Sequence, residues 1–199
     1  MFTRFGCKAQ SARNSGLLRS FATDSLTIVV VFNERINHSV LTTGNVLLEN
    51  GPAVIEASAL APLYTEIKLT LAAVLEKGKT YIISINGLSD CAGNLLTHAQ
   101  IKTGWAFAPE QGDIIINEIL INPRTGGIDL VELINCGPNA IDAASLFLAN
   151  RDAAGLPASP VVVSNTTRLI FPGDYLAVTR DTAVQFLHYF IEDPKAITE

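Results

Sequence analysis

The sequence has few of the residues on which disulfide scaffolds, metal sites and membrane spans depend. It contains three cysteines and three histidines in 199 residues, and neither set shows metal-ligand spacing. No uninterrupted apolar run approaches the ~20 residues that a membrane-spanning helix requires. A disulfide scaffold and a predicted membrane span are therefore excluded, while buried free thiols or a bridge between Cys91 and Cys136 both stay open.

The sequence motifs of common enzyme classes are also missing. There is no Gly-x-Ser-x-Gly nucleophile elbow, no phosphate-binding loop and no dinucleotide fingerprint. Four carboxylates, Glu118, Asp129, Glu132 and Asp142, fall in or beside predicted strands, where a pair could act as acid and base or bind a metal ion. The alternative is that they face solvent or accept hydrogen bonds from loop backbone. We predict no catalytic residues and no enzymatic activity.

Charge is spread unevenly along the chain. The net charge is −5, but residues 1–22 carry +4 and no acid, residues 23–103 carry −2, and residues 104–199 carry −7. The overall acidity argues against nucleic acid as a partner. The basic segment lacks the apolar stretch of a secretory signal, and its composition fits a mitochondrial transit peptide or an irregular tail. We expect residues 1–22 to form an irregular basic leader.

Residues 23–103 alternate between short apolar stretches and turn residues. Glu66–Leu71 is the clearest stretch, because its isoleucine and leucines alternate with polar residues, as in a strand with one buried face. Turns are marked by Asn50-Gly51-Pro52 and by Lys77-Gly78-Lys79. Further strands are predicted at 26–32, 45–49, 53–57, 80–86 and 99–103. This spacing favours an antiparallel β-sandwich.

The second half of the chain begins after a predicted linker at 104–112, which contains proline and glycine. Extended segments are predicted at 113–120, 129–135, 141–149 and 169–179. Asp181 is expected to cap one short helix that runs from Thr182 to about Phe190. We therefore predict a second β domain over 113–199.

Three motifs in the first predicted domain resemble a known family. They are Phe32-Asn-Glu-Arg-Ile36, Leu75-Glu-Lys-Gly-Lys-Thr-Tyr81 and Leu88-Ser-Asp-Cys-Ala-Gly-Asn94. In this order they resemble the bacterial Ig-like domain of surface-layer and secreted proteins. The resemblance implies an Ig-like sandwich over 23–103. In its last loop, Asp90 and Asn94 either form turns with nearby backbone or contribute to a Ca²⁺ site.

Several spaced elements of the second half resemble the lamin tail domain of bacterial secreted proteins. They are Ile116-Asn-Glu-Ile119, Asn122-Pro123, Gly127-x-Asp129, Val131-Glu-Leu133, Asn135, Ile141-Asp142 and Pro172-Gly-Asp-Tyr-Leu176. The match departs from the family at Ala143-Ala-Ser-Leu146, where Leu-Ser-Gly-Trp is usual. The family also usually continues beyond the predicted helix. We therefore expect a C-terminally incomplete domain in a fragment of a larger secreted protein.

Together the resemblances imply an all-β protein of two tandem Ig-like antiparallel β-sandwich domains. The implied role is that of a non-catalytic spacer, adhesion or attachment module of an extracellular or cell-surface bacterial protein. Its expected partners are the neighbouring domains of the parent protein, and a cell-surface protein or a polysaccharide. No signal peptide is visible in the sequence.

Two alternatives and one metal hypothesis stay open at this stage. The chain could be the accessory region of a secreted nuclease or phosphoesterase, since lamin tail domains are commonly fused to such enzymes. It could instead bind polysaccharide by stacking sugars on Trp105, Tyr64 or Tyr175. The candidate metal ligands, with Ca²⁺ as the ion and no other cofactor expected, are Asp90, Asn94, Asp129 and Glu132.

Overall fold

The computed structural model describes residues 16–96, 99–121, 125–181 and 197–198. These residues form strands in antiparallel sheets, joined by loops and short 3₁₀ turns, so the predicted all-β class is confirmed. Within this part of the chain, no helix is both long and apolar enough to cross a membrane. The chain divides into two compact units, which we call unit 1 (residues 1–76 and 80–105) and unit 2 (residues 77–79 and 106–199).

Unit 1 is built from two facing sheets. Its strands are β1 (Leu17–Ala22), β2 (Thr27–Phe32), β3 (Val46–Glu49), β4 (Val54–Ala59), β5 (Glu66–Leu71), β6 (Thr80–Ile85), β7 (Leu88–Ser89), β8 (Leu95–Leu96) and β9 (Ala99–Gly104). The first sheet has the order β1-β2-β5-β4 and the second β3-β6-β9, while β7 and β8 pair with each other. Two 3₁₀ turns, at His38–Val40 and Thr43–Asn45, connect β2 to β3.

The core of unit 1 follows from the period-two pattern of its strands. In β5 the side chains of Ile67, Leu69 and Leu71 are buried, whereas Lys68 is exposed, as the alternation predicts. The fully buried members of the core include Leu17, Ile28, Val30, Ile36, Ile67, Leu69, Ile83, Ile85 and Leu88. Each such side chain contributes about 1.5–3 kcal/mol by leaving water, which makes this core the main stabilising element of unit 1.

The expectation of an irregular leader over 1–22 is wrong for its last six residues. Leu17–Ala22 form β1, which pairs with β2 in antiparallel register. Ser20 faces inward and is buried, and its hydroxyl hydrogen-bonds the Val29 carbonyl and the Thr103 hydroxyl. Because a polar serine occupies an inward position, the alternation of apolar and polar residues that marks a strand is broken in the sequence. In the fold, the two hydrogen bonds satisfy the buried hydroxyl of Ser20.

The turn predicted at Asn50-Gly51-Pro52 joins strands of different sheets, because β3 and β4 lie in separate sheets. Asn50 has φ +53°, a left-handed conformation that asparagine tolerates better than most residues. A Cβ atom at Gly51 would lie 2.6 Å from Leu48 Cδ2 and 3.1 Å from Tyr81 Cδ1, so the backbone of the turn lies close against the core side chains. The predicted turn is thus a crossing between the two layers.

Unit 2 contains one larger sheet and two small ladders. Its strands are β10 (Ile114–Leu120), β11 (Leu130–Asn135), β12 (Ile141–Asp142), β13 (Phe147–Arg151), β14 (Pro157–Val162), β15 (Leu169–Ile170), β16 (Tyr175–Thr179) and β17 (Ile197–Thr198). The larger sheet has the order β10-β11-β16-β17, and the last pair is parallel. The ladders are β12-β15 and β13-β14.

The extended segment predicted at 141–149 is interrupted in the structure. Asp142 caps a 3₁₀ turn at Ala143–Ser145 by accepting a hydrogen bond from the Ala144 N–H, and β13 begins only after it. The strand Pro157–Val162 was not predicted; it contains two prolines, which are unusual within a strand. The predicted helix from Thr182 to Phe190 lies outside the described residues, as does the Asn122-Pro123 motif.

The cysteines differ from the expectation of buried free thiols. Cys91 is disulfide-bonded, and Cys136 is an exposed free thiol in a turn. A bridge between Cys91 and Cys136 is therefore excluded. Sequence spacing could not show this, because a disulfide depends on the distance between two backbones in the folded chain.

Candidate functional site

The loop from Asp90 to Asn94 in unit 1 is the best-defined candidate site. Asp90 is buried, with 4% of its surface exposed. Its Oδ1 accepts hydrogen bonds from the N–H groups of Ala92 and Asn94, each at 2.8 Å, and its Oδ2 accepts one from Asn94 Nδ2 at 2.7 Å. Both carboxylate oxygens therefore accept hydrogen bonds from the loop itself. Asp90 thus forms a turn with nearby backbone, which is one of the two roles expected from the sequence.

The same loop is tied to the segment that follows β2. Asp90 forms an isolated bridge with Ile36, and the Cys91 N–H donates to the Arg35 carbonyl at 3.1 Å. Burial acts to raise the pKa of Asp90, but the hydrogen bonds from Asn94, Ala92 and Gly93 outweigh it and lower the pKa. The folded loop therefore favours the ionised carboxylate.

Glu34 is the neighbour of Asp90 that the sequence did not reveal. Burial raises the pKa of the half-buried Glu34, and the charge of Asp90 and a hydrogen bond to its side chain raise it further. The two residues are far apart in sequence but belong to the first and last of the three quoted motifs. Their order along the chain was the available indication that these motifs meet in the fold.

Replacing Asp90 with asparagine is expected to destabilise unit 1 by about 2 kcal/mol at pH 7, because an amide cannot accept all three hydrogen bonds. The folded pKa of Asp90 is lowered, so its contribution is present above the ordinary carboxyl pKa and is lost as the pH falls through the folded value. Urea unfolding followed by the fluorescence of Trp105, from pH 7 to 3, measures this. A difference between the proteins that does not shrink in acid would contradict the assignment.

Glu34→Gln is expected to change the stability of unit 1 in the opposite direction. Since the folded pKa of Glu34 is raised, its ionisation opposes folding at neutral pH, and this cost disappears as the pH falls through the folded value. The variant should therefore be more stable than the parent at pH 7, by less than about 1 kcal/mol because solvent screens a half-exposed pair. Near pH 4 the two proteins should unfold alike. Reduced stability of Glu34→Gln at pH 7 would be the contrary result.

A second cluster in unit 1 stacks three side chains on the surface. The rings of His38 and Tyr64 lie parallel, with centroids 4.1 Å apart, and the guanidinium carbon of Arg35 lies 5.0 Å from the Tyr64 centroid. Tyr64 has φ +55°, which is unusual for a bulky residue. Its carbonyl accepts the Ile36 N–H at 2.9 Å, so the stack holds the loop before β5 against the segment after β2.

This stack changes the interpretation of the aromatic residues predicted to bind sugars. The ring of Tyr64 already has two stacking neighbours, so it does not offer the open face that a sugar ring requires. Trp105 is half-buried and packs against the core of unit 1. Tyr175 in β16 is 48% exposed and is the most accessible of the three.

The carboxylates of unit 2 fall into separate environments. Glu118 in β10 lies directly opposite Glu132 in β11, and Asn117 Nδ2 donates to Glu132 Oε1 at 2.6 Å. Asp142 Oδ1 accepts the N–H groups of Ala144 and Arg168, so that carboxylate is structural. The exposed Asp129 precedes β11. Among the described residues, no three His, Cys, Asp or Glu side chains form a group that could hold a metal ion.

Asn135 is one of the residues that carry the resemblance to the lamin tail domain, and its side chain makes three hydrogen bonds within unit 2. It is completely buried, and its Nδ2 donates to the carbonyls of Asn139 and Ile170 at 2.8 and 2.7 Å. Its Oδ1 accepts the Gly137 N–H at 2.9 Å. The residue joins the end of β11 to the following turn and to β15. In the sequence, the only sign of this structural role was the position of Asn135 at the end of a predicted strand.

Comparison with known protein families finds a match in the first part of the chain. Residues 17–108 match the family model of the bacterial Ig-like domain. This range includes β1 and both sheets of unit 1, and the fold described for unit 1 is Ig-like. No curated protein matches the sequence.

Solved structures show only distant similarity. The N-terminal part of the bacterial S-layer protein SbsC is 16% identical, with a TM-score of 0.42, over 82% of this chain and 40% of that one. A longer structure of SbsC gives 15% identity and the same TM-score, and this chain covers 32% of it. An L,D-transpeptidase from Mycobacterium smegmatis gives 9% identity and a TM-score of 0.30, over 81% of this chain and 78% of that one. The chain thus spans less than half the length of the SbsC structures it resembles.

Proposed function

We propose that this chain is a non-catalytic structural module of an extracellular or cell-surface bacterial protein, with a spacer, adhesion or attachment role. The match of residues 17–108 to the bacterial Ig-like domain carries the proposal. The polar motif residues of that domain serve the fold, because the carboxylate of Asp90 is occupied by its own loop.

The state of Cys91 supports an extracellular location. Disulfides persist in oxidising compartments and are rare in the bacterial cytosol, and Cys91 is disulfide-bonded. The strongly acidic second half of the chain favours a partner other than nucleic acid. Both observations fit a module that is exposed outside the cell and bound to neighbouring domains of its parent protein.

For unit 2 we propose the lamin tail architecture. Two residues that carried the resemblance have structural roles: Asn135 is buried and hydrogen-bonded through both its amide nitrogen and its oxygen, and Asp142 caps a turn. In this proposal unit 2 attaches or orients a neighbouring part of the parent protein. It supplies no catalytic group.

Surface labelling of the cells that make this protein tests the location. An antibody against the folded chain should label intact cells, and external protease should remove that label. Labelling that appears only after permeabilisation would contradict the proposal. The purified chain should also release no product from phosphodiester, ester or glycoside substrates. Turnover that disappears on substitution of Glu118 or Glu132, the paired carboxylates of unit 2, would replace the structural role with an enzymatic one.

A further inference from the structure

The outer strand of the larger sheet in unit 2 has an apolar surface on an open edge. Within the described residues, β10 pairs on one side only, with β11. Ile115, Ile116 and Ile119 of this strand are 47%, 50% and 55% exposed, and Ile121, just beyond it, is 66% exposed. Lysine, proline and bulges commonly discourage further pairing at an edge strand; β10 contains neither lysine nor proline, and its one bulge lies between Ile116 and Glu118.

Two of these isoleucines belong to the side of the sheet that carries the core. Ile116 lies opposite Leu133, a buried member of the core cluster of unit 2, and Ile119 lies opposite Val131, which is partly buried and packs against that cluster. The apolar layer therefore continues from the buried strand β11 to the edge strand, where solvent reaches it. An additional strand beside β10 would cover this row and pair with the free edge.

The other side of the same edge carries unfavourable charge. Glu118 and Glu132 lie opposite each other across the β10-β11 ladder, where like charges destabilise a sheet. Asn117 donates one hydrogen bond to Glu132, but an amide supplies no positive charge. A lysine or arginine in a strand beside Glu118 would supply that charge on the solvent side.

From these two features we propose that the free edge of β10 is a docking site for an extended segment of another polypeptide. The segment has apolar residues on the side facing Ile116 and Ile119 and a lysine or arginine on the side facing Glu118. It binds by adding a strand to the sheet, so that main-chain hydrogen bonds give affinity and alternate side chains give specificity. This inference concerns unit 2 alone and does not depend on the cell-surface role proposed above.

Charge favours a basic segment over a second copy of this chain. Residues 104–199 carry a net −7, so two such surfaces repel each other, and neither copy has a lysine in β10 to place beside Glu118. The register of β10 is also shifted by a bulge between Ile116 and Glu118, which breaks the regular repeat that a two-fold symmetric pairing of β10 with itself would need.

Peptide binding to the full chain tests the proposal. One fluorescent nine-residue probe alternates valine with lysine, and a second alternates valine with glutamate. We expect the lysine probe to bind about tenfold more tightly by fluorescence anisotropy, and Glu118→Lys to reverse this preference. Ile119→Ser should weaken the binding of the lysine probe about tenfold. Amide hydrogen exchange should show new protection in β10 when the lysine probe is bound.

Ile55→Ser is the matched control, because Ile55 is 61% exposed on β4, the edge strand of the first sheet in unit 1. It should leave binding of the lysine probe unchanged. Both isoleucines are largely exposed, so circular dichroism should show every variant folded. Equal binding of the two probes, no binding of either, or equal losses in Ile55→Ser and Ile119→Ser would overturn the proposal. So would a dimer of the parent chain that Ile119→Ser dissociates, since a second copy would then occupy the edge.

Discussion

Replacing Asn135 with leucine is expected to unfold unit 2. The substitution removes three hydrogen bonds: the two that Asn135 Nδ2 donates to the carbonyls of Asn139 and Ile170, and the one that its Oδ1 accepts from the Gly137 N–H, which keeps only a longer bond of 3.3 Å to the Asp113 carbonyl. Removing one partner of a buried hydrogen bond costs about 1–3 kcal/mol, so a loss of roughly 3–5 kcal/mol is expected. The core cluster described for unit 2 has five buried members, so a loss of this size is a large share of the few kcal/mol of net stability that a small domain retains.

Amide hydrogen exchange resolves this effect by segment. The amides of β11 and β16 should lose protection in Asn135→Leu, whereas those of β2 and β5 should keep it. Asn165→Ala provides the control, because Asn165 is an exposed residue of unit 2, and its change should stay within about 0.5 kcal/mol. If β11 retained its protection in Asn135→Leu, the central role of this asparagine would be refuted.

Leu69→Ala is the second substitution with a large expected effect. Leu69 is completely buried in β5, between β2 and β4, where the two neighbouring strands prevent the site from collapsing. Removing its methyl groups should cost about 3 kcal/mol, from lost transfer free energy and the remaining cavity. Trp105 is the only tryptophan and packs against this core, so its fluorescence during urea unfolding reports unit 1.

Leu63→Ala is the control for that measurement. Leu63 precedes β5 and is 70% exposed, so the same chemical change there should move the urea midpoint very little. Equal shifts for Leu63→Ala and Leu69→Ala would mean that Leu69 does not lie in a packed core. A change in the slope of the transition would instead indicate an altered unfolded state.

The strands with clear alternation could be predicted from the sequence alone. Glu66–Leu71 has the same bounds in the structure as in the prediction, because the side-chain period of a strand is a local property. The Asp90 loop was also predictable, since its hydrogen bonds close within five residues. Leu17–Ala22 was missed because its inward Ser20 is satisfied by Thr103, 83 residues away.

The candidate sites divide in the same way. Asp90 and Asn94 were found together as a turn, and Glu132 and Asp142 were found as carboxylates in or beside strands, but the distant partners of these residues were not. The approach of Glu34 to Asp90 and the pairing of Glu118 with Glu132 depend on register between distant segments. No pattern within one segment specifies that register, because it is set by which apolar faces pack together.

The sequence by itself therefore determined the all-β class, most strand positions, the motif loops and the uneven charge. Each of these depends on residues close together along the chain. Only the tertiary structure decided that Leu17–Ala22 joins a sheet, that Glu34 approaches Asp90, and that β10 is, among the described strands, an edge strand with exposed isoleucines beside two facing carboxylates. These features arise from strand order and burial, which are the joint result of packing many distant segments against one another.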